Sequence, residues 1–253
     1  MSDYFSESIK LHDPQAPFYK FRTPYLPDFF KELSSKLSLD QSTKLIDLCC
    51  GNGELSAGIV NYVKGVYAVD GSEEMLRYAI KHPSIRYFQA DINVDSFKSP
   101  DVVNHILIGR AIHWIKSESL NGLVRDNLIE DGKVVICSSE WAGDPKWYPI
   151  YSEIIEEYRK LRKGFGFDFT GRETLTKIGF KESTRFSVSR LVEFDLNYLI
   201  NHSLSISYGE SLEKMLKNLD SFSLDIKTKI GPICKDKKLI AKVTSWAIVY
   251  EKS

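Results

Sequence analysis

The sequence shows no excess of charge of either sign: 34 Lys and Arg balance 34 Asp and Glu over 253 residues. A surface built for a polyanion normally shows as a basic excess or a basic stripe, so nucleic acid is not the expected partner. Cysteine is scarce. Cys49 and Cys50 are adjacent, Cys137 and Cys234 stand apart, and no C-x-x-C pair occurs. That spacing excludes a disulfide framework and a cysteine-based zinc site. The five histidines, His12, His82, His105, His113 and His202, have no metal-ligand spacing to acids or cysteines, so no metal is expected. No apolar run approaches the roughly 20 residues of a membrane span. The opening MSDYFSESIK lacks a basic stretch followed by an apolar one, and a reducing cytoplasmic setting is the expectation. Repeats and low-complexity linkers are absent. The chain is long enough to bury a core without disulfides or structural metals.

What is present is an alternation. An aromatic and proline-rich opening, with Tyr19, Phe21, Arg22, Pro24, Tyr25 and Pro27 close together, reads as an ordered arm. Phe29, Leu33 and Leu37 form the stripe of a helix over 28–39. Short apolar strands at 44–50, 65–70, 85–91, 102–109 and 132–139 then alternate with helices at 53–63, from Ser72 through Ala79, and at 120–129. Such alternation implies βαβ units and a parallel sheet covered on both faces. After Ser139 the pattern changes to an aromatic segment containing Trp141, Trp147, Tyr148, Tyr151 and Tyr158. A helix and strand follow at 171–190, then helices near Asp195–Leu199 and 210–229, and a last strand at 239–251. The expected organisation is one domain. An arm and helix occupy 1–43, a core 44–139, cap segments 140–170 and 191–235, and closing strands 171–190 and 236–253. The expected fold is α/β: a doubly wound, mostly parallel seven-stranded sheet with an N-terminal arm and a helical, aromatic cap.

The stretch LIDLCCGNGELSAGIV, residues 45–60, sets the functional question. An acid-ended apolar strand runs into a turn with Gly51 and Gly53, where backbone can approach a ligand. In open α/β sheets that is where ligands bind. One reading is a weak dinucleotide turn, with Ser56 at the third glycine position and Asp70 as the ribose acid. Another is a tight turn with no ligand. Two further acids weigh against both. Asp47, Asp70 and Asp91 end three successive strands and line one rim. A nucleoside with an amino-acid tail uses three such groups, at its amine, its ribose hydroxyls and its adenine amine. A dinucleotide needs the ribose acid alone, and Asp47 would repel its pyrophosphate.

LIDLCCGNG, VYAVDGSEEMLRYA and FQADI resemble the motifs of class I S-adenosylmethionine-dependent methyltransferases, whose fold is Rossmann-like. IGRAIHWI (108–115), YKFRTPYLP (19–27) and FDLNYLINHSLS (194–205) are similar to segments of the small-molecule subgroup around trans-aconitate methyltransferase. Two departures stand out. Cys49 replaces the usual first glycine, and a small side chain fits there if φ is negative. Asn104 stands where an acid is common.

The resemblance implies that Asp47, Cys49 and the Gly51–Gly53 backbone hold the methionine part, with Tyr19 or Arg22 on its carboxylate. Asp70 takes the ribose hydroxyls, with Gly71 and Met75 beside ribose and adenine. Asp91 and Ile92 take the adenine, and Ile108 and Gly109 complete the cofactor wall. Arg110 and His113 are the candidate catalytic groups, orienting an anionic acceptor or serving as base. His113 can equally be an orienting hydrogen bond within the fold. Trp114, Trp141, Trp147 and Tyr148 are the expected substrate wall, with core packing as the alternative for each. The implied activity is methyl transfer from S-adenosylmethionine to a small-molecule acceptor, with O-methylation of a carboxylate or hydroxyl first. N-methylation and a non-catalytic cofactor-binding protein are the alternatives. No metal, nucleic acid or membrane partner is implied, and oligomeric state is left open.

Overall fold

The computed structural model describes residues 9, 12–143, 146–158 and 168–253. The start of the predicted arm before residue 9 and the predicted cap at 159–167 lie outside the described residues. A 3₁₀ helix at Asp13–Phe21 leads into α1 (Pro27–Leu37) and β1 (Lys44–Leu48). Next come α2 (Glu54–Ile59), β2 (Gly65–Asp70), α3 (Glu73–Arg77), β3 (Ile85–Gln89), β4 (Val103–Gly109) and α4 (Ser117–Asn127). β5 (Leu128–Gly143), α5 (Tyr148–Tyr158), α6 (Arg172–Lys177), β6 (Phe180–Asp195), α7 (Leu196–Ser205), α8 (Glu210–Lys217), α9 (Leu219–Asp225) and β7 (Lys238–Lys252) complete the order. Two predicted helix starts carry their caps. Ser72 Oγ accepts from the Met75 N–H at 3.0 Å, and Asp195 Oδ1 accepts from the Tyr198 N–H at 2.6 Å.

The seven strands lie in the order β3-β2-β1-β4-β5-β7-β6. β1 to β5 pair in parallel, and β7 runs antiparallel between β5 and β6. Strand order reverses between β1 and β4, so the crevice beyond their carboxyl ends is where a ligand belongs. Alternate residues feed two cores. Leu45, Leu107 and Val135 pack with α1 on one face, and Ile46, Ile106 and Val134 pack with α4 on the other.

Two predicted boundaries move. Residues 140–143 belong to β5 and 191–195 to β6, not to a cap. The reason is the long β7, which pairs Gly143 through Ala241 on one edge and Asp195 through Lys238 on the other. The sheet therefore extends past the crevice floor and becomes part of its wall.

The predicted arm is held by its own backbone. The Phe21 carbonyl lies 2.9 Å from His202 Nδ1, and the Arg22 carbonyl accepts from the Tyr198 hydroxyl at 2.9 Å. The Thr23 carbonyl accepts from Arg110 Nη2, and the Pro24 carbonyl from Ser139 Oγ at 2.7 Å. The Tyr25 N–H donates to Glu54 Oε1 and the Leu26 N–H to Ser245 Oγ, both at 2.9 Å. Six successive residues thus place a backbone polar group on six different side chains, which answers the need to satisfy every buried N–H and C=O.

Arg110 is the hub of this staple. Its side chain is 9% exposed, Nη1 lies 3.3 Å from Glu54 Oε2, and the guanidinium sits 4.4 Å from the Tyr25 ring centroid. Replacing it with methionine keeps the length but removes both charge-assisted contacts. Arg110→Met is expected to lower stability by about 1.5–3 kcal/mol in urea unfolding, and Arg110→Lys to recover little of it, because a lysine lacks the planar fork.

Candidate active site

The crevice opens into a cavity of about 620 Å³. Its walls come from the 3₁₀ arm, the turns after β1 and β2, the loop after β3, the turn after β4, the end of β5 and the segment after α7. At the end of β2, Asp70 Oδ2 accepts the Gly51 N–H at 2.8 Å and Oδ1 accepts the Ser72 N–H at 2.9 Å. A carboxylate has about four acceptor sites, so this arrangement fixes Asp70 and leaves capacity for two hydroxyl donors. Burial pushes its pKa up, partly offset by those two N–H groups. Gly71, Ser72, Met75, Asp91 and Ile92 continue the same wall. Asp91 Oδ1 accepts the Asn93 N–H at 3.0 Å, which orients the carboxylate at the rim.

Gly51 has φ +56, and a Cβ there would lie 2.9 Å from the Tyr19 ring. The aromatic ring and the bare backbone therefore make one narrow cradle. Arg22 stands 5.5 Å from the Tyr19 ring and donates to the Ser205 carbonyl at 3.3 Å. Its desolvation lowers its pKa, as for a cation held beside a cavity rather than in water.

These groups fit an adenosyl nucleoside with an amino-acid tail. A fixed carboxylate with spare acceptor capacity, a second acid on the next strand end, an apolar Met75 and Ile92 pair, and a cation beside the glycine turn lie on one continuous wall. Residues 45–127 match the family model of the methyltransferase domain. An uncharacterized methyltransferase of Schizosaccharomyces pombe is 24% identical over 223 residues, 81% of this chain and 83% of the relative. A probable S-adenosylmethionine-dependent methyltransferase of Saccharomyces cerevisiae is 27% identical over 135 residues, 51% of this chain and 44% of the relative. A 23S rRNA uracil methyltransferase of Vibrio vulnificus is 27% identical over 116 residues, 38% of this chain and 26% of the relative. In fold, the chain matches a provisionally assigned type II methyltransferase of Anaeromyxobacter dehalogenans with TM-score 0.63 and 15% identity, over 91% of this chain and 97% of the other.

Residues 45–127 form a methyltransferase domain, and the chain is similar to S-adenosylmethionine-dependent methyltransferases. Of the residues singled out in the sequence, Tyr19, Arg22, Cys49, Gly51, Asp70, Gly71, Met75, Asp91 and Ile92 line this cavity, and so do Arg110, His113 and Trp114. Asp47 does not. It pairs with Ala68 and Leu107 inside the sheet, two register steps deeper than Asp70, and is fully buried. Its Oδ2 accepts Ser56 N–H and Oγ at 3.0 and 2.6 Å, so it anchors the start of α2. Burial outweighs those bonds and raises its pKa to about 7.

Gly53, Ile108 and Gly109 are likewise off the cavity wall. Gly53 makes room for the Tyr87 hydroxyl and Gly109 for Tyr25, while Ile108 is wholly inside the core. Trp141, Trp147 and Tyr148 are also off the wall. Strand alternation turns Trp141 to the face opposite Glu140, where it packs 5.1 Å from Trp147, 6.2 Å from Tyr148 and 4.9 Å from His202. They brace α5 and α7 against the sheet. Arg110, expected to meet an anionic acceptor, borders the cavity but commits its guanidinium to Glu54 and Thr23.

Several wall residues were not read from sequence. His12 stacks on Tyr208 at 5.1 Å and meets Trp114 edge-on at 5.0 Å. Gln15, Asn93, Phe169, Glu140 and Trp246 also line the cavity. They come from the 3₁₀ segment and the residue before it, from loops, from the late part of β5 and from mid-β7, where no sequence pattern marks a ligand wall. Among the described residues no group of three His, Cys, Asp or Glu side chains could hold a metal, and no helix is long and apolar enough to cross a membrane.

The condition placed on Cys49 fails. Its φ is +55, so this position does require the left-handed conformation that glycine supplies. A side chain there costs roughly 1–2 kcal/mol. Cys49→Gly and Cys49→Ala remove the same thiol, so their difference isolates the backbone term. The glycine variant is expected to be the more stable by about 1 kcal/mol in urea midpoint, with S-adenosylhomocysteine affinity alike in the two.

Proposed function

We propose that this methyltransferase acts on a small molecule and methylates a hydroxyl oxygen. The observation that carries the reading is the cavity's course, from Asp70 and Asp91 at one end to His113 at the turn after β4 and Glu140 at the end of β5. The arm closes one side through Tyr19 and Arg22, which suits an acceptor that enters whole. A balanced net charge supports a small molecule over a nucleic acid. Four free cysteines, Cys49, Cys50, Cys137 and Cys234, suit a reducing cytoplasm.

The bound cofactor supplies an activated methyl group on sulfur. The protein's part is to orient the nucleophile and exclude water, and such positioning contributes on the order of 7–11 kcal/mol. Asp70 would hold the ribose hydroxyls, Asp91 and Ile92 the adenine, and Arg22 with the Gly51 turn the amino-acid tail. His113 is half-buried, and its ring lies 4.8 Å from Trp114 and 4.7 Å from Phe169. Burial, with His12 and Arg22 adding to it, pushes its pKa down to about 4. At neutral pH the imidazole is uncharged and accepts a hydrogen bond from an acceptor hydroxyl. A carboxylate acceptor is less well supported, because the cavity's two arginines are already engaged.

Calorimetric titration tests the cofactor half. Wild type is expected to bind S-adenosylhomocysteine, and Asp70→Asn to weaken that by about ten- to a hundred-fold while keeping the fold. A folded wild type that binds neither S-adenosylhomocysteine nor S-adenosylmethionine would sink the reading.

The acceptor half has its own prediction. Loss of one hydrogen bond costs up to about 1.5 kcal/mol, so His113→Asn should lower turnover about ten-fold, not the 10²–10⁴ of a full general base. Because the folded value lies near 4, His113 is neutral across roughly pH 6 to 8. The rate should show no inflection from His113 in that window, and the contribution that needs a neutral ring should fall only as pH drops through about 4.

A further inference from the structure

The far end of the cavity carries a charged group that methyl transfer itself does not use. Strand register places Ser138 opposite Trp246, and alternation puts Glu140 on the same face. The Trp246 indole N–H donates to Glu140 Oε1 at 2.8 Å. This bond fixes an exposed carboxylate that would otherwise sample several rotamers, and leaves its other oxygen available. Among the described residues no cation pairs with Glu140. Trp246 lies beside it, and the same cavity is lined by further aromatic rings: Phe169 at 54% exposure, Tyr208 and Trp114. The cavity's cations, Arg22 and Arg110, are engaged elsewhere, Arg22 with the Ser205 carbonyl and Arg110 with Glu54. A pre-oriented carboxylate among aromatic faces, with no cation of its own, is the chemistry that recognises a cation.

We propose that the acceptor carries a cationic group, an aliphatic ammonium or an amidinium, which Glu140 holds in the cavity beside Trp246. Glu140 is then the specificity-determining residue of the site. The proposal rests on the small-molecule reading above and names the class of molecule. Trp246 is a positioning residue, acting through the carboxylate it fixes.

The test uses three probes of one shape and different charge: phenethylamine, phenethyl alcohol and hydrocinnamate. Each is titrated calorimetrically into the full chain, alone and loaded with S-adenosylhomocysteine. The amine is expected to bind about ten-fold more tightly than the alcohol and the carboxylate. Glu140→Gln should erase that preference with S-adenosylhomocysteine affinity unchanged, and Glu140→Lys should turn it toward hydrocinnamate. Trp246→Phe should reduce the preference, since the carboxylate loses its anchor. Equal affinity of wild type for the three probes, no binding of any, or an amine preference kept in Glu140→Gln would overturn the proposal. Failure to bind S-adenosylhomocysteine is a separate outcome, striking the cofactor assignment, and the titrations on the unloaded protein still read the charge preference.

Discussion

A buried guanidinium organises this molecule. Arg110 follows the last residue of β4, beside the point where strand order reverses, and takes φ +58. A bulky residue in that conformation costs of order 1–3 kcal/mol, and burying its charge costs several more. The surroundings offset both. The Arg110 N–H donates to the Cys137 carbonyl at 2.9 Å, Glu54 supplies the opposite charge, Thr23 a carbonyl and Tyr25 an aromatic face. Glu54 also holds the Tyr25 N–H. One ion pair thus joins the turn after β4, the start of α2 and the arm. Removing it would leave a half-buried acid, a buried carbonyl and a strained backbone without their common partner. The arm's place over the glycine turn, and with it the Tyr19 and Arg22 side of the cofactor cavity, depends on that join.

Depth within the sheet sorts the three acids that the sequence sets at strand ends. Asp70 is the last residue of β2 and Asp91 lies two residues beyond β3, so both reach the rim. Asp47 lies one residue before the end of β1, on the face covered by α1 and α2. There it meets Ser56 instead of ligand. Its effect on the site is indirect but physical: it holds the first turn of α2, and so the backbone of the turn that runs from Cys49 to Gly53. The cost of Cys49 at φ +55 falls in the same turn, which is stabilised on one side by Asp47 and on the other by the Gly51 N–H to Asp70 bond.

The parallel half of the fold was legible because each strand is a short apolar run with its own acid or turn signal. GVYAVD matches β2 residue for residue, and Ser72 and Asp195 cap the helices they precede. Legibility declined where pairing became antiparallel. β5 and β6 overrun their apolar segments because β7 supplies partners, and propensity carries no signal for that. Parity then misassigned the aromatic wall: Trp141 and Glu140 are neighbours in sequence but lie on opposite faces, and the acid is the one in the cavity. Arg110, expected to meet an anionic acceptor, pairs with Glu54, 56 residues away in sequence, an ion pair that nothing local predicts. Gln15 lies in, and His12 just before, a 3₁₀ segment with two prolines, where helical periodicity has nothing to act on.

The charge layout constrains the chemistry of the acceptor. A hydroxyl that gains a methyl group must lose its proton, and a wall group that kept it would need a pKa near neutrality. His113, at about 4, is far below that. Asp47, at about 7, has a suitable value but lies under the glycine turn, away from the cavity. In the proposed reading, neutral His113 would align the hydroxyl without storing its proton, which would leave toward solvent. This arrangement suits an oxygen that ionises easily, a phenol or an enol, over a simple alcohol. On the two proposals together, separate tasks would lie along one cavity: an uncharged imidazole would set the direction of the reacting oxygen, and a fixed carboxylate would set which molecule presents it.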